Sequence, residues 1–268
     1  MDRSKQVVHE FWEKAACGEA LYLSSSEKAA FVDQERIRYE LEPYIPAFAD
    51  FEGACGMDVL EIGVGLGADH QRFAQAGARL QGIDLTQRAV DLTQKRLGLL
   101  GLPSDVKTGD AEHLVFGDET FDVVYSWGVL HHSPNTQKSV HEVHRVLRNG
   151  GRAAIMIYHK WSMVGFMLWV RYGLLRFRPH ASLTELYATY LESPGTKAYS
   201  VAEARKLFAL FRSVNIRTVL THGDLLTSKA GQRHRGVLLE MARRIWPRWL
   251  IKALLPNNGL FMLITATK

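Results

Sequence analysis

The residues with the plainest chemical potential are acids set beside glycines. Val59-Leu-Glu-Ile-Gly-Val-Gly-Leu-Gly67 is an apolar run that holds one carboxylate, Glu61, and ends in Gly63, Gly65 and Gly67. Each missing Cβ removes a steric barrier at a strand-to-helix turn, so backbone N–H groups can come close to a ligand there. A nucleotide-like cofactor is the chemistry to expect. Gly63, Gly65 and Ala68 also satisfy the looser dinucleotide fingerprint, and Asp84 stands where that fingerprint expects a ribose acid. A nicotinamide (NAD(P)) oxidoreductase is therefore one reading. Against it, the third glycine falls at Gly67, and Glu61 would repel a pyrophosphate.

Two further segments follow in order. Asp84 and Leu85 close a second apolar run and lead into Thr86, a helix N-cap residue, while Gly109-Asp110-Ala111 follows a third. Phe121-Asp-Val-Val-Tyr-Ser-Trp-Gly-Val-Leu-His-His-Ser-Pro134 is then succeeded by Glu142-Val-His-Arg-Val-Leu-Arg-Asn-Gly-Gly151. From about Asp58 to Tyr158 this set resembles the class I S-adenosylmethionine (SAM)-dependent methyltransferases, in particular the small-molecule, ubiquinone/menaquinone type.

The resemblance implies a cofactor seat. Gly63, Gly65 and Gly67 would face its methionine end and Glu61 its ammonium, directly or by fixing the loop. Asp84, with Leu85, would take the ribose hydroxyls, Asp110 and Ala111 the adenine, and carbonyls near Ser126 and Trp127 the ammonium. Arg38 would reach the cofactor carboxylate. His131 is the candidate general base and His132 a pocket residue, with Tyr158 and His159 at the same sheet edge as further catalytic candidates. Trp12, Tyr22 and Tyr39, on N-terminal helices that commonly form a lid, would line the acceptor pocket. The expected reaction is in-line methyl transfer to a small, apolar or aromatic acceptor at O, N, S or C, in which positioning carries much of the barrier lowering. A SAM-binding, membrane-docked protein is the alternative within this resemblance.

The elements that must position these residues alternate. Strand-like runs at Asp58–Ile62, Arg79–Ile83, Ser104–Thr108, Phe121–Ser126 and Arg152–Tyr158 are separated by helix-like runs at Ala68–Ala76, Gln87–Leu99 and Thr136–Leu147. Later runs at Asn215–Thr221 and Leu260–Thr267 read as two more strands. The fold expected is a Rossmann-like, doubly wound, mostly parallel seven-stranded sheet whose last strand is antiparallel. Residues 1–52 would form the helical lid and 53–268 the SAM-binding domain, with helical insertions at about 160–199 and 222–258. Ser182-Leu-Thr-Glu185 and Ser200-Val-Ala-Glu203 each carry a helix-start pattern.

Composition bounds the rest. The chain has 268 residues, 47% of them hydrophobic, and a net charge of +5, which suits one folded domain with an elaboration. Its polar start and the lack of a ~20-residue apolar window make the cytoplasm the default location. Cys17 and Cys55 are too few for a zinc site, a disulfide framework or the thiol cluster of arsenic methyltransferases, so no metal is expected. Residues 159–184 hold no acid against Lys160, Arg171, Arg176 and Arg178. After Leu225 only Glu240 opposes a set including Lys229, Arg233, Arg235, Arg243, Arg244, Arg248 and Lys252. Trp161, Trp169, Tyr172, Phe177, Trp246 and Trp249 accompany these basic stretches, which fits either peripheral membrane contact or packed helices with solvated basic faces. Nucleic acid is not the expected substrate, because the loop after Ser126 lacks the Asn/Asp-Pro-Pro-aromatic element. A monomer and a homodimer are both open.

Overall fold

The computed structural model of the chain describes residues 3–228 and 243–268, so Lys229, Arg233, Arg235 and Glu240 lie outside the described residues. Apolar runs become strands in the order anticipated: β1 (Asp58–Ile62), β2 (Arg79–Asp84), β3 (Asp105–Thr108), β4 (Phe121–Trp127), β5 (Leu147–Tyr158), β6 (Ser213–Val219) and β7 (Phe261–Thr267). They form one sheet in the order β3-β2-β1-β4-β5-β7-β6. Every pairing from β3 to β5 is parallel, and β7 runs antiparallel to both β5 and β6. The expected seven-stranded fold with its antiparallel last strand is therefore the one formed.

β5 starts five residues earlier than its sequence signal. Leu147 pairs with Phe121, and the register then slips before Val123 meets Arg152, so the Asn149-Gly150 stretch is a bulge the apolar pattern does not reveal.

Helices cover both faces of the sheet, as parallel strands require. α1 (Arg3–Lys14), α2 (Glu19–Tyr22), α3 (Lys28–Leu41) and α4 (Ile45–Ala49) precede the sheet, and α5 (Ala68–Gln75), α6 (Gln87–Leu100) and α7 (Thr136–Val146) link the strands. After β5 come α8 (Met163–Leu168), α9 (Leu183–Tyr190) and α10 (Val201–Leu207), and α11 (Arg248–Leu254) lies between β6 and β7. Several helix starts carry a side-chain cap of the expected residue types. Thr86 accepts from the Ala89 N–H, Asn135 from Lys138, Ser162 from Gly165, and Ser200 with Glu203 forms a complete capping box.

On one face, Ile45, Phe48 and Phe51 pack on Val123, Tyr125 and Met156. α4 thus belongs to the core, not to a lid, and Arg152 fastens it through the carbonyls of Phe48 and Ala49. On the other face, Val140, Val143 and Leu147 meet Val124, Ile155 and Met262.

Candidate functional site

A cavity of about 620 Å³ opens along the C-terminal edge of the parallel strands. That edge is where ligands of doubly wound sheets gather, and the volume falls within the range of small-molecule sites.

The glycine turn forms its floor. Gly63, Gly65 and Gly67 all have positive φ (84°, 54° and 75°). A Cβ on Gly63 would lie 2.1 Å from Val129 Cγ2, whereas a Cβ on Gly65 would meet nothing within 4 Å. The first glycine is thus required by packing, and the second by backbone conformation beside open space.

The three acids are held differently. Glu61 is buried, and its Oε2 lies 2.8 Å from His70 Nδ1. His70 Nε2 meets Ser104 Oγ at 2.6 Å, and Ser104 Oγ donates in turn to the Leu80 carbonyl. Ser104 must therefore accept from Nε2–H. Burial pushes His70 down to about 3 and Glu61 well up, so both groups are held toward their neutral forms. Asp84 Oδ1 accepts from the Thr86 N–H and Oγ–H, and Oδ2 from the Gly65 N–H at 3.2 Å. Desolvation raises its carboxyl against those bonds. Asp110 bonds Lys5 Nζ of α1 at 2.6 Å, and Lys5 also reaches Glu112 at 2.9 Å, so α1 is latched over this end of the cavity.

Arg38 forms a two-pronged pair with Asp69 (3.0 and 2.6 Å) and an ion pair with Glu42 at 3.3 Å. Tyr39 and Tyr125 also donate to Asp69. Glu42 is only 12% exposed, and burial, opposed by Arg38 and by the Trp127 indole, leaves its carboxyl raised to about 7.

At the ends of β4 and β5 lies a second polar group. The Tyr158 hydroxyl donates to Glu192 Oε2 at 2.7 Å, and His132 Nε2 stands 3.4 Å from the same oxygen. His132 Nδ1 is engaged by Ser193 Oγ (2.8 Å) and Thr196 Oγ1 (3.1 Å), and the Trp12 ring meets the imidazole edge to face at 5.4 Å.

Of the residues singled out from sequence, the cavity wall brings together Arg38, Glu61, Gly63, Gly65, Gly67, Asp84, Leu85, Asp110, Ala111 and Trp127, with Trp12, Tyr22, His132 and Tyr158 across from them. It does not include His131, Tyr39, Ser126 or His159. His131 is fully buried behind His132, its ring tilted by 40° against Tyr158 at 4.0 Å, with neither ring nitrogen hydrogen-bonded among the described residues. Burial, His132 and Lys197 hold its imidazole well below the ordinary value. Ser126 Oγ instead donates to the Ile62 carbonyl, joining β4 to β1, and His159 Nδ1 bonds the Gly259 carbonyl. Lys5, Glu42 and Glu192 line the cavity without having been read from the sequence.

Residues 60–155 match a family model described as a methyltransferase domain. A phthiotriol/phenolphthiotriol dimycocerosates methyltransferase of Mycobacterium tuberculosis is 43% identical over 98 residues, 36% of this chain and 36% of that protein. A ubiquinone biosynthesis O-methyltransferase of Azoarcus sp. is 35% identical over 100 residues, 37% of this chain and 43% of that one. The chain thus spans well under half the length of these relatives. A Haemonchus contortus phosphoethanolamine N-methyltransferase 2, solved with phosphomonomethylethanolamine and S-adenosylhomocysteine, superposes with a TM-score of 0.61 at 15% identity, covering 97% of this chain and 60% of that one. That likeness concerns the fold.

Proposed function

We propose, from the premise that this chain carries a class I SAM-dependent methyltransferase domain, that it transfers the methyl group of SAM to a small, apolar or aromatic acceptor at O, N, S or C. The observation that carries the reading is a single cavity with the glycine turn and its acids on one side and the His132, Tyr158 and Glu192 group on the other.

The residues fit the cofactor. Gly65 leaves space where a side chain would intrude, and Asp84 is held beside it with a lone pair of Oδ2 left for a ribose hydroxyl. Glu61, Gly63 and Gly67 would seat the methionine end, with the backbone at Ser126 and Trp127. Arg38, a quarter exposed, would offer a charge to the carboxylate. Leu85 would flank the ribose, and Asp110 and Ala111 the adenine. Glu61, bonded to His70 and held toward its neutral form by burial, sets no charge against a pyrophosphate, so repulsion there does not count against the nicotinamide alternative. When bound, SAM supplies a methyl group already activated on a sulfonium.

What remains for the chain is to align the acceptor, exclude water and take a proton where the acceptor carries one. Trp12 and Tyr22 would press the acceptor toward the cofactor. His132, facing the cavity with Nδ1 tied to Ser193 and Thr196, is the better-placed base; His131 would support its ring from behind, and Tyr39 would act through Asp69. His159 would serve the join between β5 and β7.

The test is release of S-adenosylhomocysteine from SAM across a panel of phenols, quinols, amines and thiols bearing apolar groups. Acceptor-dependent release that disappears when the cavity is blocked by Gly65→Phe supports the reading. Binding of NADPH in place of both SAM and its demethylated product would overturn it.

A further inference from the structure

The cavity does not end at His132 and Glu192. It extends to Phe166, Arg171 and Leu175 in the first helical insertion and to Arg243 and Trp246 in the second. Asp224, fully buried, ties these elements together: its Oδ1 accepts the Val164 N–H, its Oδ2 the Leu260 N–H, and its carbonyl the Trp246 indole N–H.

Outside this mouth the same elements present large apolar side chains to solvent. Trp161 is 59% exposed, Leu175 59%, Phe177 93%, Ile245 82%, Trp249 75% and Leu254 68%. Interleaved with them are the exposed Arg176, Arg244 and Lys252, and no acid occurs in residues 159–184 or 243–268. Large apolar side chains left in water in such number on the elements around one cavity mouth fit an interaction surface.

Phe177 adds an independent observation. It has φ 56° at the end of a short helical turn, where the Arg178 N–H reaches back to the Gly173 carbonyl. Glycine is favoured there, and an aromatic side chain at positive φ is a local cost. Since the Phe177 ring is almost wholly exposed, the cost is not offset by packing within the chain.

We infer that this surface docks on an anionic lipid bilayer, with the cavity mouth facing the membrane. Tryptophan, phenylalanine and leucine at the level of the headgroups, with arginine and lysine among them, is the pattern that a negatively charged interface recruits. A second copy of the chain would set two basic patches against each other. A nucleic acid would answer the charge and leave Phe177, Ile245 and Trp249 in water. The further consequence, that an apolar acceptor enters the cavity from the lipid, rests on the proposed methyl transfer; the docking itself does not.

Sedimentation of the full chain with vesicles of phosphatidylcholine, alone or mixed with phosphatidylglycerol, tests this at low and high salt. The wild type is expected to pellet with the anionic vesicles at low salt and far less with the neutral ones. Phe177→Gly and Trp249→Glu should each weaken binding about tenfold, with Phe177→Gly melting no lower than the wild type, and both should bind S-adenosylhomocysteine as the wild type does. Absence of pelleting, pelleting of both variants equal to that of the wild type, or retention on RNA without vesicle binding would overturn the docking. So would a concentration-dependent dimer that the same substitutions abolish. Vesicle binding without S-adenosylhomocysteine binding would leave docking intact and remove the methyl-transfer reading.

Discussion

Asp84 Oδ2 accepts the Gly65 N–H at 3.2 Å, so the acid that closes β2 is fixed by the glycine turn that follows β1. Its other oxygen is held by Thr86, the N-cap of α6. Two strand ends and a helix start therefore converge on one carboxylate. A ligand arriving there meets an acceptor already oriented, which lowers the ordering cost of binding.

The glycines separate packing from binding. Gly63→Ala would drive a Cβ to 2.1 Å from Val129, and is expected to unfold the chain or lower its melting temperature severely. Gly65→Ala meets no neighbour, and its positive φ costs about 1 kcal/mol. We expect a melting temperature a few degrees lower with S-adenosylhomocysteine affinity reduced at least tenfold, read by calorimetry beside thermal melts; equal losses in both would mean Gly65 does not face the ligand.

The neighbouring histidines should differ sharply. His132→Ala is expected to slow S-adenosylhomocysteine release about 10²-fold or more if its Nε2 takes a proton. His131→Phe removes two buried nitrogens that lack hydrogen-bond partners among the described residues, and should leave release within severalfold. Because burial lowers the His131 pKa, the folded state resists its protonation, so stability is lost as pH falls below about 6.5. Denaturant titrations should show His131→Phe losing less stability than the wild type between pH 7 and pH 5.

That pair also shows where sequence stops being legible. His131 and His132 are adjacent in one tight turn, Leu130–His132, and only the fold decides which ring meets the cavity and which the core. β1 could be read to its end residues because Val59, Leu60 and Ile62 are buried in an unbroken parallel strand. Asp84 and the glycines could be read because they are local. Glu192 could not, since its meaning comes from Tyr158 and His132, far away in the chain. Glu42 lay hidden for the same reason: it closes α3 and becomes a buried acid only where Arg38 and the Trp127 indole meet it.

Glu42 gives a pH signature. Its carboxyl stays protonated in the folded chain up to about pH 7 while the unfolded chain ionises near 4.5, so its contribution to stability is full below pH 4.5 and lost as pH rises through 7. Glu42→Gln should therefore stabilise the chain by roughly 3 kcal/mol at pH 8 relative to its effect at pH 4. A difference that does not change with pH would show that Glu42 titrates normally.

Chelation bears on the cluster of His131, His132 and Glu192, whose ligand atoms lie within 4.8 Å of one another. Ser193, Thr196 and Tyr158 already bond two of the three. EDTA is expected to change neither the melting temperature nor S-adenosylhomocysteine release. A loss of release that zinc alone restores would make the cluster a metal centre.

Calorimetric titration of the wild type and Asp84→Ala with S-adenosylhomocysteine tests the central claim most directly. We predict saturable binding to the wild type and a loss of at least 10²-fold in the variant, about 3 kcal/mol, as the ribose hydroxyls lose their charged acceptor. Melting of the variant within a few degrees of the wild type will show that the fold is kept. Unchanged affinity in Asp84→Ala, or a wild type that binds NADPH and not S-adenosylhomocysteine, would contradict the account.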